Sequence, residues 1–205
     1  MEKKIKNIVF DMGNVLIRYQ AREYTSQYVK DMAEGDFLCQ EVFQSVEWIQ
    51  LDRGILSEED AICSICKRLP QHLQHYVATL IEHWHTYIPP YPEMEKLVKE
   101  LKQHGYKIYL LSNTSLRFHK FRVNIPALQY FDGEFISADY KMLKPEQIIF
   151  QTFLKQFDLR AEECYFIDDF NVNIEAAMFA GMKGFIYRGS IEVLRTAMQK
   201  EGIAV

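Results

Sequence analysis

The feature that most restricts the fold is a set of five short apolar runs. They are IKNIVF (5–10), KIYLLS (107–112), GEFIS (133–137), CYFID (164–168) and KGFIY (183–187). Runs of this length, rich in β-branched and aromatic residues and lacking polar alternation, suit strands buried on both faces, as in a parallel sheet. Helical segments separate the later runs. PEMEKLVKELKQHG (92–105) opens on Pro92 and stops at Gly105, while KPEQIIFQTFLKQFDL (144–159) and NIEAAMFAG (173–181) follow the same plan. This alternation predicts an α/β fold built on a doubly wound parallel sheet.

The first two runs are separated by a long stretch with no strand signal. Residues 18–88 read as helices: AREYTSQYVKDM, FLCQEVFQSVEWIQL, SEEDAICSICKRL and HLQHYVATLIEHWHTYI. Ser57 and Asp60 form a capping box at the start of the third, and Gly54 marks the stop before it. The predicted organisation is therefore a core of residues 1–17 and 89–205, with a helical cap of residues 18–88 inserted after the first strand. The proline-rich IPPYP (88–92) returns the chain to the core.

At 205 residues, with 48% apolar and 25% charged side chains, the chain has material for one ordinary core plus such an insert. Its net charge of −4 and the shortness of its strongest basic cluster, EKKIK near the N-terminus, argue against nucleic acid. No apolar stretch is long enough to span a membrane and no signal-peptide pattern opens the chain, so the expected location is cytoplasmic. Cys63 and Cys66, followed by His72 and His75, have a spacing loosely like a zinc site. The helical spacing of Ala61, Ile62, Ile65, Cys66 and Leu69 favours packing instead. His83, His85, Trp48 and Trp84 also fall in the insert, where aromatics at helical spacing are most often core and scattered histidines surface or core groups, and where an aromatic wall facing a substrate is favoured over a metal box.

Functional residues gather where the strands stop. IVFDMGNVLI breaks an apolar run with Asp11, then Gly13 and Asn14, residues suited to a turn with unusual dihedrals. The second strand ends in Ser112, Asn113 and Thr114. Lys144 stands immediately before Pro145 after the third, and the fourth ends in Asp168 and Asp169 with Asn173 a turn later. Any one of these could serve only as a cap or a solvated charge. Together they place a carboxylate, a hydroxyl, an ammonium and two further carboxylates at four strand ends, which lie side by side in a doubly wound sheet.

This ordered set resembles the haloacid dehalogenase (HAD) superfamily of phosphohydrolases and dehalogenases. Its four motifs correspond to FDMGNVL, LLSNT, KPEQIIF and FIDDFNVNIEAA, and the resemblance spans essentially the whole chain, cap included. The resemblance implies a Rossmann-like core and a Mg2+-dependent phosphatase acting on a small phosphorylated metabolite. The D-x-G-N form of the first motif is similar to a branch containing sugar-1-phosphate phosphatases, which points to a sugar phosphate.

The resemblance further implies that Asp11 is the nucleophile, forming an aspartyl-phosphate that water hydrolyses. Asp11, the Gly13 carbonyl and Asp169 would ligate magnesium, with Asp168 on the ion or one step behind it and Asn173 orienting Asp169. Ser112 and Lys144 would hold the phosphoryl oxygens, and Asn113 would contact substrate or cap the loop. Gly13 replaces the aspartate that usually serves as general acid and base, and Arg18 stands where relatives often carry an acid. His83 or His85 of the cap is one possible replacement. Two other readings stay open at this stage: carbon–halogen hydrolysis by Asp11 without metal, and a non-catalytic ligand-binding relative.

Overall fold

Alternate residues of each strand face opposite sides of one five-stranded, wholly parallel sheet of order β3-β2-β1-β4-β5. The computed structural model describes residues 5–205, so residues 2–4 of the EKKIK run lie outside the described residues. The strands are β1 (Asn7–Phe10), β2 (Lys107–Ser112), β3 (Gly133–Ile136), β4 (Cys164–Asp168) and β5 (Lys183–Ile186). β2 and β4 have the bounds their sequence predicts, and the other three are shorter by one or two residues. Ser137 already opens a one-turn helix.

The helices are α1 (Ala21–Tyr28), α2 (Met32–Phe43), α3 (Val46–Arg53), α4 (Glu58–Arg68), α5 (Gln74–His83), α6 (Pro92–Gln103), α7 (Phe118–Phe121), α8 (Ser137–Tyr140), α9 (Gln147–Gln156), α10 (Asn171–Phe179) and α11 (Ile191–Lys200). Ile8 and Phe10 of β1 face one core, with Leu97 and Leu101 of α6 and Leu194 of α11. Val9 faces the other, with Phe150 and Phe153 of α9 and Ile174 of α10. Helices thus cover both faces of the sheet, as a doubly wound fold requires. Among the described residues no helix is long and apolar enough to cross a membrane.

The insert differs from its expected outline at Ser45. The run 37–51 is two helices, not one, because the Ser45 hydroxyl accepts the Trp48 N–H at 3.1 Å and starts α3 afresh. Gly54 ends α3 in the left-handed region (φ 73°), and a Cβ there would lie 2.2 Å from the carbonyl oxygen of Ala138. Only glycine permits so close an approach of insert to core. Polar ties reinforce it: Arg53 pairs with Glu146, Glu58 with Arg117, and the Ser137 hydroxyl bonds the Asp52 carbonyl. The capping box at Ser57 is present, with the Asp60 N–H donating to the hydroxyl at 3.0 Å.

Cys63 is exposed, Cys66 donates to the Gln74 carbonyl, and His72 pairs with Glu34. Those side chains are engaged separately and do not converge on one point.

Candidate active site

β1 lies between β2 and β4, with Phe10 in register with Leu110 on one side and Ile167 on the other. Asp11 therefore emerges between Ser112 and Asp168, beside the point where strand order reverses and where open α/β sheets form their binding crevices. The following turn is shaped by Asn14, which takes the left-handed conformation (φ 53°) that asparagine tolerates. Gly13 does not need it, which corrects the expectation of unusual dihedrals at both residues. A Cβ built on Gly13 would meet only the Tyr19 Cβ, at 4.0 Å.

Lys144 organises the site. It is 4% exposed, and its ammonium donates to Asp11 Oδ1 at 2.7 Å, Asp168 Oδ2 at 2.6 Å and the Leu111 carbonyl at 2.9 Å. All three of its protons are thereby used. Burial alone would lower its pKa, but the charges of Asp11 and Asp168 outweigh burial and raise it. The same interaction leaves Asp11 Oδ2 without a protein hydrogen bond among the described residues. Burial raises the Asp11 pKa, Lys144 opposes that rise, and the charges of Asp168 and Asp169 add to it.

The backbone of Lys144 is fixed by Asn113. Its N–H donates to Asn113 Oδ1 and its carbonyl accepts from Asn113 Nδ2, both at 2.9 Å. The Asn113 carboxamide thus fixes the Lys144 backbone, in keeping with the loop-capping alternative, while the residue also borders the cavity. The third-motif helix also starts later than predicted, at Gln147, because Leu143–Glu146 form a turn closed by the Glu146 N–H to the Leu143 carbonyl.

The two adjacent aspartates have different surroundings. Asp168 is fully buried and accepts from Lys144, from the Phe170 N–H at 2.7 Å and from Asn173 Nδ2 at 3.0 and 3.1 Å. Asn173 was expected to orient Asp169. It holds Asp168 instead, because Asp168 turns inward beneath α10 with Lys144. Asp169 is held by Asn14 Nδ2 at 3.2 Å, a partner not foreseen from sequence, and it reaches the cavity where Asp168 does not. Burial raises the Asp169 pKa, the Asn14 bond opposes this, and Asp168 adds to it.

One carboxylate oxygen each from Asp11, Asp168 and Asp169 lie within 4.8 Å of one another. Hard oxygen donors so grouped suit a divalent cation such as magnesium.

Asp11, Asp169 and Lys144 form the floor of a cavity of about 360 Å3, with Asp168 buried behind them. Ser112, Asn113 and Thr114 border it, and the buried Thr114 hydroxyl has no protein partner among the described residues. The opposite wall comes from the first-motif loop and the insert: Ile17, Tyr19, Trp48 and Trp84. Tyr19 and Trp48 each pack edge-on against Trp84, at 5.5 and 5.8 Å. His83, His85 and Arg18 are not part of this lining. His85 stacks on Phe121, and Arg18 pairs with Glu23 at the surface.

Asp52, near the end of α3, is an acid of this wall that sequence reading did not single out. Protein surrounds it closely although part of its surface opens to the cavity. Burial, with the Asp11 charge adding, raises its pKa to about 7 against a hydrogen bond from the Ser115 backbone. Its signal in sequence is slight, since LDRG reads as an ordinary helix end.

Comparison with known proteins places this geometry in context. The chain is 29% identical over 198 residues to the sesquiterpene phosphatase astK of Aspergillus oryzae, covering 96% of this chain and 97% of that protein. It is 25% identical over 197 residues to a D-ribitol-5-phosphate phosphatase of Bacteroides thetaiotaomicron, covering 88% and 91%. A HAD family enzyme of the latter organism, solved with magnesium and inorganic phosphate, shares the fold with a TM-score of 0.69 at 22% identity, covering 93% of this chain and 98% of that one. Residues 5–181 match the haloacid dehalogenase-like hydrolases, and the chain belongs to that family of hydrolases.

Proposed function

We propose that this hydrolase is a Mg2+-dependent phosphomonoesterase that passes the phosphoryl group of a small metabolite through an aspartyl-phosphate on Asp11. The observation that carries the reading is the split environment of Asp11, with Oδ1 held by Lys144 and Oδ2 free in a cavity floored by carboxylates. A nucleophile needs one oxygen oriented and the other available. Lys144 keeps the carboxylates together by balancing their charge, and Ser112 and Thr114 offer hydroxyls to phosphoryl oxygens. Asp11, Asp169 and the Gly13 carbonyl would hold magnesium, with Asp168 one step behind. The ion, when bound, supplies the charge neutralisation that lets an anionic nucleophile approach an anionic phosphate.

The carbon–halogen alternative gives no purpose to three clustered carboxylates, and a non-catalytic relative gives none to the free Oδ2. For the body of the substrate, the wall of Ile17, Tyr19, Trp48 and Trp84 favours an apolar group over a polyol. The sesquiterpene phosphatase relative agrees with this preference. A sugar phosphate, implied by the D-x-G-N motif and in keeping with the ribitol-5-phosphate relative, would find few partners on that wall for its hydroxyls.

The test is phosphate release from prenyl phosphates, sugar phosphates and p-nitrophenyl phosphate, with magnesium, with chelator and with Asp11→Ala. Release should require magnesium, vanish in Asp11→Ala and rank prenyl above sugar phosphates. Release that persists in Asp11→Ala would refute the nucleophile assignment.

A further inference from the structure

With glycine at position 13, the proposed reaction has no proton donor on the first-motif loop. Departure of an alcohol from phosphorus needs a proton, and water needs a base to attack the aspartyl-phosphate. The candidates are the titratable groups lining the cavity. Asp11 is the nucleophile, Asp169 belongs to the carboxylate cluster, and Lys144 has all three protons engaged. Both nearby histidines lie outside the cavity lining. Tyr19 has a buried hydroxyl with no partner among the described residues, but burial first, then the Asp52 charge, raises its pKa far above the ordinary value. It can donate a hydrogen bond but cannot shuttle a proton at neutral pH.

Asp52 remains. Among the described residues no cation pairs with its carboxyl, and the adjacent Arg53 pairs with Glu146 instead. Its backbone is fastened to the core by the Ser137 hydroxyl, which also accepts the Thr114 N–H at 2.9 Å. The insert thereby delivers an acid at a fixed position to the same cavity that Gly13 lines, where a Cβ on Gly13 would meet only the Tyr19 Cβ at 4.0 Å.

We propose that Asp52 is the general acid and base of this enzyme, supplied from the insert in place of the side chain that Gly13 lacks. The proposal rests on the phosphatase reading above. In the first step Asp11 Oδ2 bonds to phosphorus and the bond from phosphorus to the leaving oxygen breaks. The bonding pair stays on that oxygen, which takes the Asp52 proton and departs as the alcohol. In the second step the Asp52 carboxylate takes a proton from water as the water oxygen bonds to phosphorus. The bond to Asp11 breaks with its pair returning to the carboxylate, and inorganic phosphate leaves with Asp52 protonated again. The raised pKa of Asp52 at about 7 agrees with this double duty.

The experiment compares a poor leaving group, farnesyl phosphate, with a good one, p-nitrophenyl phosphate, in wild type, Asp52→Asn and the double variant Asp52→Asn with Gly13→Asp. Asparagine keeps the shape and the Ser115 hydrogen bond, and thermal melting checks the fold. Asp52→Asn should lower kcat/KM for the prenyl ester by ~10²–10⁴-fold. It should leave kcat/KM for the aryl ester far less affected, since nitrophenolate departs unprotonated, and should produce a burst of nitrophenol as the aspartyl-phosphate accumulates. Adding Gly13→Asp should recover part of the prenyl activity. Equal losses on both esters without a burst, or no loss on the prenyl ester, would overturn the role of Asp52 while leaving the phosphatase reading intact. A wild-type enzyme that releases phosphate from neither ester would overturn both.

Discussion

The rim of strand ends and the wall of the insert enclose the same cavity but are built on opposite rules. On the rim the buried charges are tied together, since Lys144 uses three donors and Asp168 receives three groups, and Asp11 Oδ2 and the Thr114 hydroxyl are left for a ligand. On the wall, aromatic rings pack on one another, the Tyr19 hydroxyl is buried with no partner among the described residues, and Asp52 borders the cavity with a hydrogen bond from the Ser115 backbone. A rim whose charges are tied to one another fixes geometry and cannot easily change its chemistry. An apolar wall chooses what fits and leaves its few polar groups for the substrate.

The comparison can be broken most severely at the rim. Lys144→Met leaves two buried carboxylates without their cation, and breaking such a pair should cost roughly 3–5 kcal/mol of stability. Denaturant unfolding would read that loss, and phosphate release should vanish with it. On the wall, Trp48→Ala should act on substrate choice alone. It should weaken kcat/KM for a prenyl phosphate by about 10–200-fold, the range for lost apolar pocket contacts, with little change for p-nitrophenyl phosphate. Equal losses on both substrates would mean that the wall also positions the phosphate.

The smallest effect sharpens the contrast through pH. Asp52 has a folded pKa of about 7 against 3.8 for an ordinary aspartate. The folded state then binds more protons between those values, so the contribution of this group is fully present below about pH 3.8 and is lost as pH rises through about 7. In chelator, the unfolding midpoint of wild type should fall from pH 5 to pH 8 by more than that of Asp52→Asn. A parallel pH dependence in the two proteins would show that Asp52 ionises freely.

Much of this was legible in the chain because apolar runs ending abruptly in polar residues mark buried parallel strands and their rims together. KIYLLS and CYFID lead straight to Ser112 and Asp168. The break at Ser45 was hidden because the residues on both sides keep a helical apolar pattern, and only the cap hydrogen bond separates them. Which aspartate Asn173 holds was not legible either, since spacing brings it near both and the inward turn of Asp168 decides. Asp52 was invisible for a different reason. Its significance depends on where α3 docks, and that depends on Gly54 meeting Ala138 rather than on any pattern around Asp52.

The Ser137 hydroxyl joins Thr114 of the core to Asp52 of the insert through a single oxygen. A chimera that exchanged residues 18–88 as a block would therefore cut through this junction and discard the acid with the specificity wall. Grafts that keep α3 and Gly54 with the recipient core, and exchange only the helices around them, would vary what enters the cavity without disturbing the oxygen that registers the two halves.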